Sequence, residues 1–193
     1  MGKKALVFLA EGFEEVEAVT PIDYLRRAGI EVTVASIKND RTVRGAHGIS
    51  LAADTTIAEL ETSGRFSAAV WDAVFVPGGM PGAANLAACV PAGNFYREMT
   101  ASGKITAAIC ASPAVFLAPL GLLEGKKFTC YPGDEKQTSG GTWSAGRVVV
   151  DGNLITSRGP GTAAAFALAL IEKLAGKEEV QKLTVAALLE IPG

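Results

Sequence analysis

From Lys4 onward, short runs rich in β-branched and apolar residues alternate with longer stretches whose apolar residues recur every three or four positions. The pattern predicts a strand over Lys4–Ala10, then a helix over Glu14–Ala28. In that helix Val16, Val19, Ile22 and Leu25 recur at helical spacing, and Gly29 stands where a C-cap favours a left-handed residue. A second strand follows over Ile30–Ser36. The polar stretch Lys38–Arg44 and the segment around Gly45–Leu51 read as a turn and a short hairpin or excursion. A strand over Trp71–Pro77 is stopped by Pro77-Gly78-Gly79, helical material runs to about Ser102 with a break at Pro91, and Ile105–Ile109 is a short apolar strand. Beyond it come a helix over Ala111–Leu120, a strand over Lys127–Tyr131, and a hairpin of Arg147–Val150 with Asn153–Ser157 across Asp151-Gly152. An apolar helix over Thr162–Ala175, closed by Gly176, and an amphipathic one over Glu178–Leu189 complete the chain. Alternating strands and helices imply a mostly parallel sheet covered on both faces, so a single three-layer α/β domain over residues 1–193 is expected. Ligands of such sheets gather at the carboxyl ends of the strands, which directs attention to the turns Glu11–Glu17, Pro77–Gly82 and Cys110–Pro113.

Composition narrows the chemistry. Eighteen basic against twenty acidic residues give a net charge of −2, and the lack of a cationic run argues against nucleic acid. No apolar stretch approaches the roughly 18 residues of a membrane span. The lysines and apolar run at the N-terminus imitate a signal peptide until Glu11, Glu14, Glu15 and Glu17 interrupt it, so a cytoplasmic protein is expected. Cys89, Cys110 and Cys130 are an odd number with no metal-ligand spacing, and His47 is the one histidine. Neither a disulfide framework nor a structural metal is expected, and no cofactor is called for. Any triad within the chain would have to use His47 or do without histidine.

Cys110 ends an apolar strand at a turn into helical sequence. Its neighbours Ala108, Ala111 and Ser112 are as small as a strand-turn-helix elbow demands, and Pro113 suits a first helical turn. A thiol there faces free backbone amides, which favour the thiolate; the plain alternative is a small packing residue. Cys89 and Cys130 lack that setting and read as packing residues. In Glu14-Glu15-Val16-Glu17, Glu14 and Glu17 share a helical face while Glu15 points elsewhere. A carboxyl buried against the thiol would be driven toward its protonated form, but the residues alone do not say which one. Gly78-Gly79 lets backbone amides approach a ligand and could supply donors to a developing oxyanion. Arg158-Gly159-Pro160-Gly161-Thr162 reads as a rigid turn that braces the neighbouring elbow.

Together these segments resemble the ThiJ/PfpI superfamily, in the branch of the Parkinson's-disease-associated protein deglycase. The resemblance rests on Ala5-Leu-Val-Phe-Leu-Ala10, Glu14-Glu15-Val16-Glu17, Arg26-Arg27-Ala28-Gly29-Ile30 and Pro77-Gly78-Gly79. It is most specific in Ala107-Ala108-Ile109-Cys110-Ala111-Ser112-Pro113 and Thr156-Ser157-Arg158-Gly159-Pro160-Gly161-Thr162. It implies a flavodoxin-like sandwich related to class I glutamine amidotransferase domains, and a homodimer. It also implies Cys110 as the reactive residue, Glu17 as its protonated partner, and Gly79 and Ala111 as amide donors, with Gly78 alongside. The activity implied is cofactor-free conversion of glyoxals to hydroxy acids or deglycation of proteins, with oxidation of the cysteine in stress sensing as the alternative. The partner would be a small aldehyde or a glycated protein. Two positions depart from the branch. Tyr131 stands where it carries a histidine near the cysteine, which leaves a Cys-His peptidase pair unsupported. Gly45-Ala46-His47 stands where its interface reads Cys-Ser-Arg, while Arg27 still matches an interface arginine. His47 is then either an exposed loop residue or one that reaches the partner's Cys110 pocket.

Overall fold

The structure is a computed structural model and describes residues 2–189. In chain order its elements are β1 (Lys4–Leu9), α1 (Glu15–Arg27), β2 (Glu31–Ser36), β3 (Thr42–Arg44), β4 (Ser50–Ala52), β5 (Thr55–Thr56), α2 (Ile57–Thr62) and β6 (Ala73–Val76). There follow α3 (Gly82–Ala87), α4 (Val90–Ala101), β7 (Ile105–Ile109), β8 (Lys127–Phe128), β9 (Thr142–Trp143), β10 (Val148–Asp151), β11 (Leu154–Ser157), α5 (Ala163–Ala175) and α6 (Lys177–Ala186).

Seven strands form the central sheet in the order β10-β11-β7-β6-β1-β2-β5, all parallel except β10, which pairs antiparallel with β11. Strand residues point alternately to the two faces, so each strand supplies both cores at once. From β1, Ala5, Val7 and Leu9 join a core with α1 and α5, while Leu6 and Phe8 join another with α2 and α4. Strand β6 divides in the same way, Ala73 and Phe75 against Val74 and Val76. This is why β1 after Lys4, β6, and β7 apart from Thr106 read as apolar runs rather than alternating ones. Each large apolar side chain so buried contributes roughly 1.5–3 kcal/mol. The result is the expected flavodoxin-like, three-layer α/β arrangement.

The chain leaves β1 toward β2 and β5, then returns to β6 on the other side of β1. Helix α1, after β1, packs into one layer, and α4, after β6, into the other. The carboxyl ends of β1 and β6 therefore face a crevice at a topological switch point, with β7 beside it.

Several boundaries differ from the sequence reading. The expected helix over Ala111–Leu120 is a π-helical turn over Pro113–Leu117 followed by a 3₁₀ turn over Ala118–Leu120. The run Lys127–Tyr131 pairs only at Lys127–Phe128, and with Thr142–Trp143 in a separate two-stranded sheet. The hairpin near Gly45 is longer than predicted: Thr42–Arg44 pairs with Ser50–Ala52 and Gly45 begins its turn. Strand β5 and helix α2 were not anticipated; Thr56 caps α2 in a reciprocal box with Glu59.

Candidate active site

Three strand-end turns converge in the crevice, stitched by their own backbones. Glu14 N–H donates to Gly78 O at 2.9 Å, joining the turn after β1 to the turn after β6. Glu14 is the N-cap of α1, and its Oε2 accepts from Glu17 N–H at 2.7 Å. That bond fixes the first turn and carries Glu17 inward, where it is 0% exposed and its Oε2 accepts from Gly78 N–H at 2.8 Å. The structure thus chooses among the three glutamates. Glu14 caps, Glu15 turns to the β3–β4 hairpin, and Glu17 enters the crevice.

Cys110 follows β7 with a φ of 64°, a left-handed conformation that costs a non-glycine residue about 1–3 kcal/mol. Neighbouring groups hold it there. Its N–H donates to Ser157 O at 3.0 Å, its carbonyl accepts from Tyr131 N–H at 2.8 Å, and the buried Ser112 Oγ donates to Pro77 O at 2.6 Å. The turn also redirects the side chain. Strand alternation would send residue 110 to the Ala108 face, yet Cys110 packs in the core of Ile109, α1 and α5. The left-handed elbow brings the thiol to the layer that contains Glu17. Gly78 permits the meeting, because a Cβ there would lie 2.6 Å from Cys110 Cβ and 2.9 Å from Glu17 Oε2. Gly79, at φ 88°, approaches Glu14 N equally closely.

Burial pushes the Glu17 carboxyl up to about 7, helped by the charge of Glu14 and opposed by the bonds from Gly78 and Cys110. Its Oε1 is buried without a well-formed hydrogen bond, although the Cys110 thiol lies beside the carboxyl. Burial, then the charge of Glu17, push the Cys110 thiol up, while the amides of Ala111 and Gly79 pull it down. The sequence expectation that free amides at the elbow favour the thiolate is overturned in its net direction: the amides do pull the thiol down, but burial and the Glu17 charge outweigh them, and no α-helix follows the elbow to add its N-terminus. Two acids this close cannot both ionise readily, so they titrate as a pair. With the proton on Glu17, its charge no longer adds to burial in holding the thiol up, and the two amides work against burial alone.

The other expected residues are dispersed. Tyr131 is half-exposed, with its ring beside Gly159 at the edge of the crevice. Arg27 lies in the last turn of α1, its Nε donating to Asp23 Oδ2 at 2.6 Å, about 15 Å along the helix from Glu17. His47 is exposed and turns to Glu15, Nδ1 to Oε2 at 2.8 Å, which raises the imidazole above its ordinary value. Burial works against the Glu15 charge, but bonds from the His47 ring and from the amides of His47 and Ile49 hold its carboxyl low. The sequence missed Glu14 as a cap and the Ser112 hydroxyl as a brace. The first had a signal in its position before the helix; the second registered only as small. No helix among the described residues is long and apolar enough to cross a membrane.

The sequence profile of the DJ-1/PfpI family matches residues 3–173. Protein DJ-1 homolog B of Arabidopsis thaliana is 43% identical over 94% of the chain, which spans only 40% of that protein, and the chain spans less than half of the A homolog too. Glutathione-independent glyoxalase DJR-1.2 of Caenorhabditis elegans is 35% identical over 94% of both chains. The structure of oxidized Toxoplasma gondii DJ-1 superposes with a TM-score of 0.92 at 40% identity, covering 98% of this chain and all of the other. With its sheet order, its cysteine elbow and a family match over most of its length, the chain belongs to the DJ-1/PfpI family.

Proposed function

We propose that the chain is a cofactor-independent, cysteine-dependent glyoxalase and deglycase for methylglyoxal-type aldehydes and their early adducts, protective under stress. The observation that carries this reading is a thiol held at a left-handed elbow against a fully buried carboxyl, with two backbone amides at its sulfur. The relative in C. elegans that is named a glyoxalase supports it. The Cys110 thiolate adds to the aldehyde carbon, forming a C–S bond, and the carbonyl electron pair becomes an oxyanion met by the Gly79 and Ala111 amides. Glu17 protonates that oxygen to give the hemithioacetal. Its carboxylate then takes the proton from the former aldehyde carbon to give an enediol and returns it to the adjacent carbon, while the hydroxyl proton passes to the adjacent oxygen, which leaves a thioester of the hydroxy acid. Water cleaves the thioester, releasing lactate and the thiol. Deglycation would use a related adduct at the same sulfur. Incubation with methylglyoxal should yield lactate; full activity in Cys110→Ser or Glu17→Ala would sink the mechanism.

A second reading is a redox sensor, with or without chaperone activity, in which Cys110 climbs to a sulfinate. The relative solved in an oxidized form favours it, and the same amides that meet the sulfur would hold a sulfinate oxygen. Mild peroxide followed by intact mass distinguishes the two: two oxygens gained at Cys110 without turnover favours the sensor. We further propose a homodimer. Exposed Val16 and Val19 on α1, with Ile49 of the adjacent hairpin turn, give a second copy an apolar surface to cover. Sedimentation at micromolar concentration would test it, and a monomer would refute it.

A further inference from the structure

The β3–β4 hairpin lays its turn over the first turn of α1 and is fastened there by one carboxylate. Glu15 Oε1 accepts from His47 N–H at 2.7 Å and from Ile49 N–H at 3.3 Å, while Ala46 N–H donates to Phe13 O at 2.8 Å. The bare Cα of Gly45 leaves the room that this carboxylate fills. The His47 ring is thereby held over the start of the helix, with Nδ1 2.8 Å from Glu15 Oε2 and 3.9 Å from Glu14 Oε1. Glu15 and His47 are 32 positions apart in the chain, so no sequence spacing announces the cluster.

Two features of this cluster call for a cation. Glu14 and Glu15 are 8% and 5% exposed, and among the described residues their one partner within ion-pair reach is the exposed imidazole. Two full negative charges there outweigh the roughly half positive charge of the α1 N-terminus. The second feature is Glu14 Oε1. Its sister oxygen is occupied by the Glu17 N–H, whereas Oε1 faces the ring at a distance beyond hydrogen bonding. Carboxylate oxygens of side chains this buried ordinarily have a closer partner.

We propose that Glu14 Oε1, Glu15 Oε2 and His47 Nδ1 form a binding site for a zinc ion, with water in the fourth position. One ligand atom from each residue lies within 4.8 Å of the others. Tetrahedral zinc with bonds of about 2.0–2.2 Å sets its ligands about 3.3–3.5 Å apart, and the 2.8 and 3.9 Å separations from Nδ1 straddle that spacing. An imidazole with two carboxylates suits zinc better than magnesium or calcium, which take six or more oxygens. On binding, Nδ1 releases its proton to solvent and its lone pair bonds the metal in place of the Nδ1–H bond to Glu15. The site includes neither Cys110 nor Glu17, so it stands or falls apart from the aldehyde chemistry.

The test is calorimetric titration of zinc chloride into the full chain carrying Cys110→Ser, which removes the reactive thiol as a competing ligand. One zinc per chain should bind, and magnesium at the same concentration should not. His47→Ala in that background should weaken zinc by about tenfold or more, since even groups behind metal ligands are worth about 10–100-fold. Glu14→Gln, which keeps an oxygen for the helix cap, should weaken it comparably. Zinc should also raise the melting temperature of the parent but not of His47→Ala. Absence of binding in the parent, or affinity unchanged by either substitution, overturns the site. Should Glu14→Gln fail to fold, Glu14→Asp keeps the cap and shortens the reach toward the metal. The same loss is expected there, and unchanged affinity refutes the proposal.

Discussion

Cys110 and Cys130 are free thiols joined through one backbone hydrogen bond, Tyr131 N–H to Cys110 O, yet their surroundings diverge. Cys130 is fully buried on the α4 side of the sheet. Burial, then the charges of Glu135 and Asp134, push it up to about 12 against the pull of Arg158. Cys110 is 8% exposed on the α1 side, beside a carboxyl that can carry a proton for it and two amides that favour its anion. Burial raises both thiols, and at Cys130 the neighbouring carboxylates add to it with no amide to oppose them. What sets Cys110 apart is the left-handed turn that delivers it to the Glu17 layer, and the reactivity proposed for it depends on that one backbone conformation.

The sharpest way to break the comparison is to exchange the thiols' fates. Cys110→Ser should reduce lactate formation from methylglyoxal by about a thousandfold or more, whereas Cys130→Ser should leave it within about threefold; comparable losses in both would erase the distinction. Next is the approach of the backbone. Gly78→Ala forces a Cβ into Cys110 and Glu17, and should cost about 2–4 kcal/mol of stability in urea unfolding, while Gly159→Ala should cost almost nothing. The carboxyl follows. Its pKa is raised in the fold, so its contribution is fully present below the unfolded value near 4.5 and is lost as pH rises through about 7. Glu17→Gln should therefore gain about 2 kcal/mol over wild type at pH 8, less than the full linkage of the shift, and lose that advantage by pH 4. The smallest effect belongs to the brace: Ser112→Ala leaves the Pro77 carbonyl unpaired and should cost about 1–2 kcal/mol.

How legible each part was in the sequence follows from how local its cause is. The buried strands β1, β6 and β7 announce themselves because both faces need apolar residues, and the elbow because only small residues fit around Cys110. Strand β5, two residues long, carries no period at all, and the pairing of β8 with β9 depends on a partner about fifteen positions away, Lys127 opposite Thr142. The π-helical turn after the elbow has ordinary helical composition, so composition could not separate it from an α-helix. Glu14 and Glu17 were equivalent by helical spacing. The choice between them belongs to Gly78, sixty-one residues on, whose amide receives Glu17.

The central claim is that Glu17 holds the proton when Cys110 reacts, and the pH dependence of Cys110 alkylation in wild type and Glu17→Ala tests it most directly. If Glu17 is the proton holder and donates to the thiolate, wild type should react with a midpoint below about 7.5, and Glu17→Ala should move that midpoint upward. If Glu17 is instead ionised beside the thiol, its charge is what holds the thiol up. Removing it would then move the midpoint downward, and that result, or no movement at all, would contradict the account.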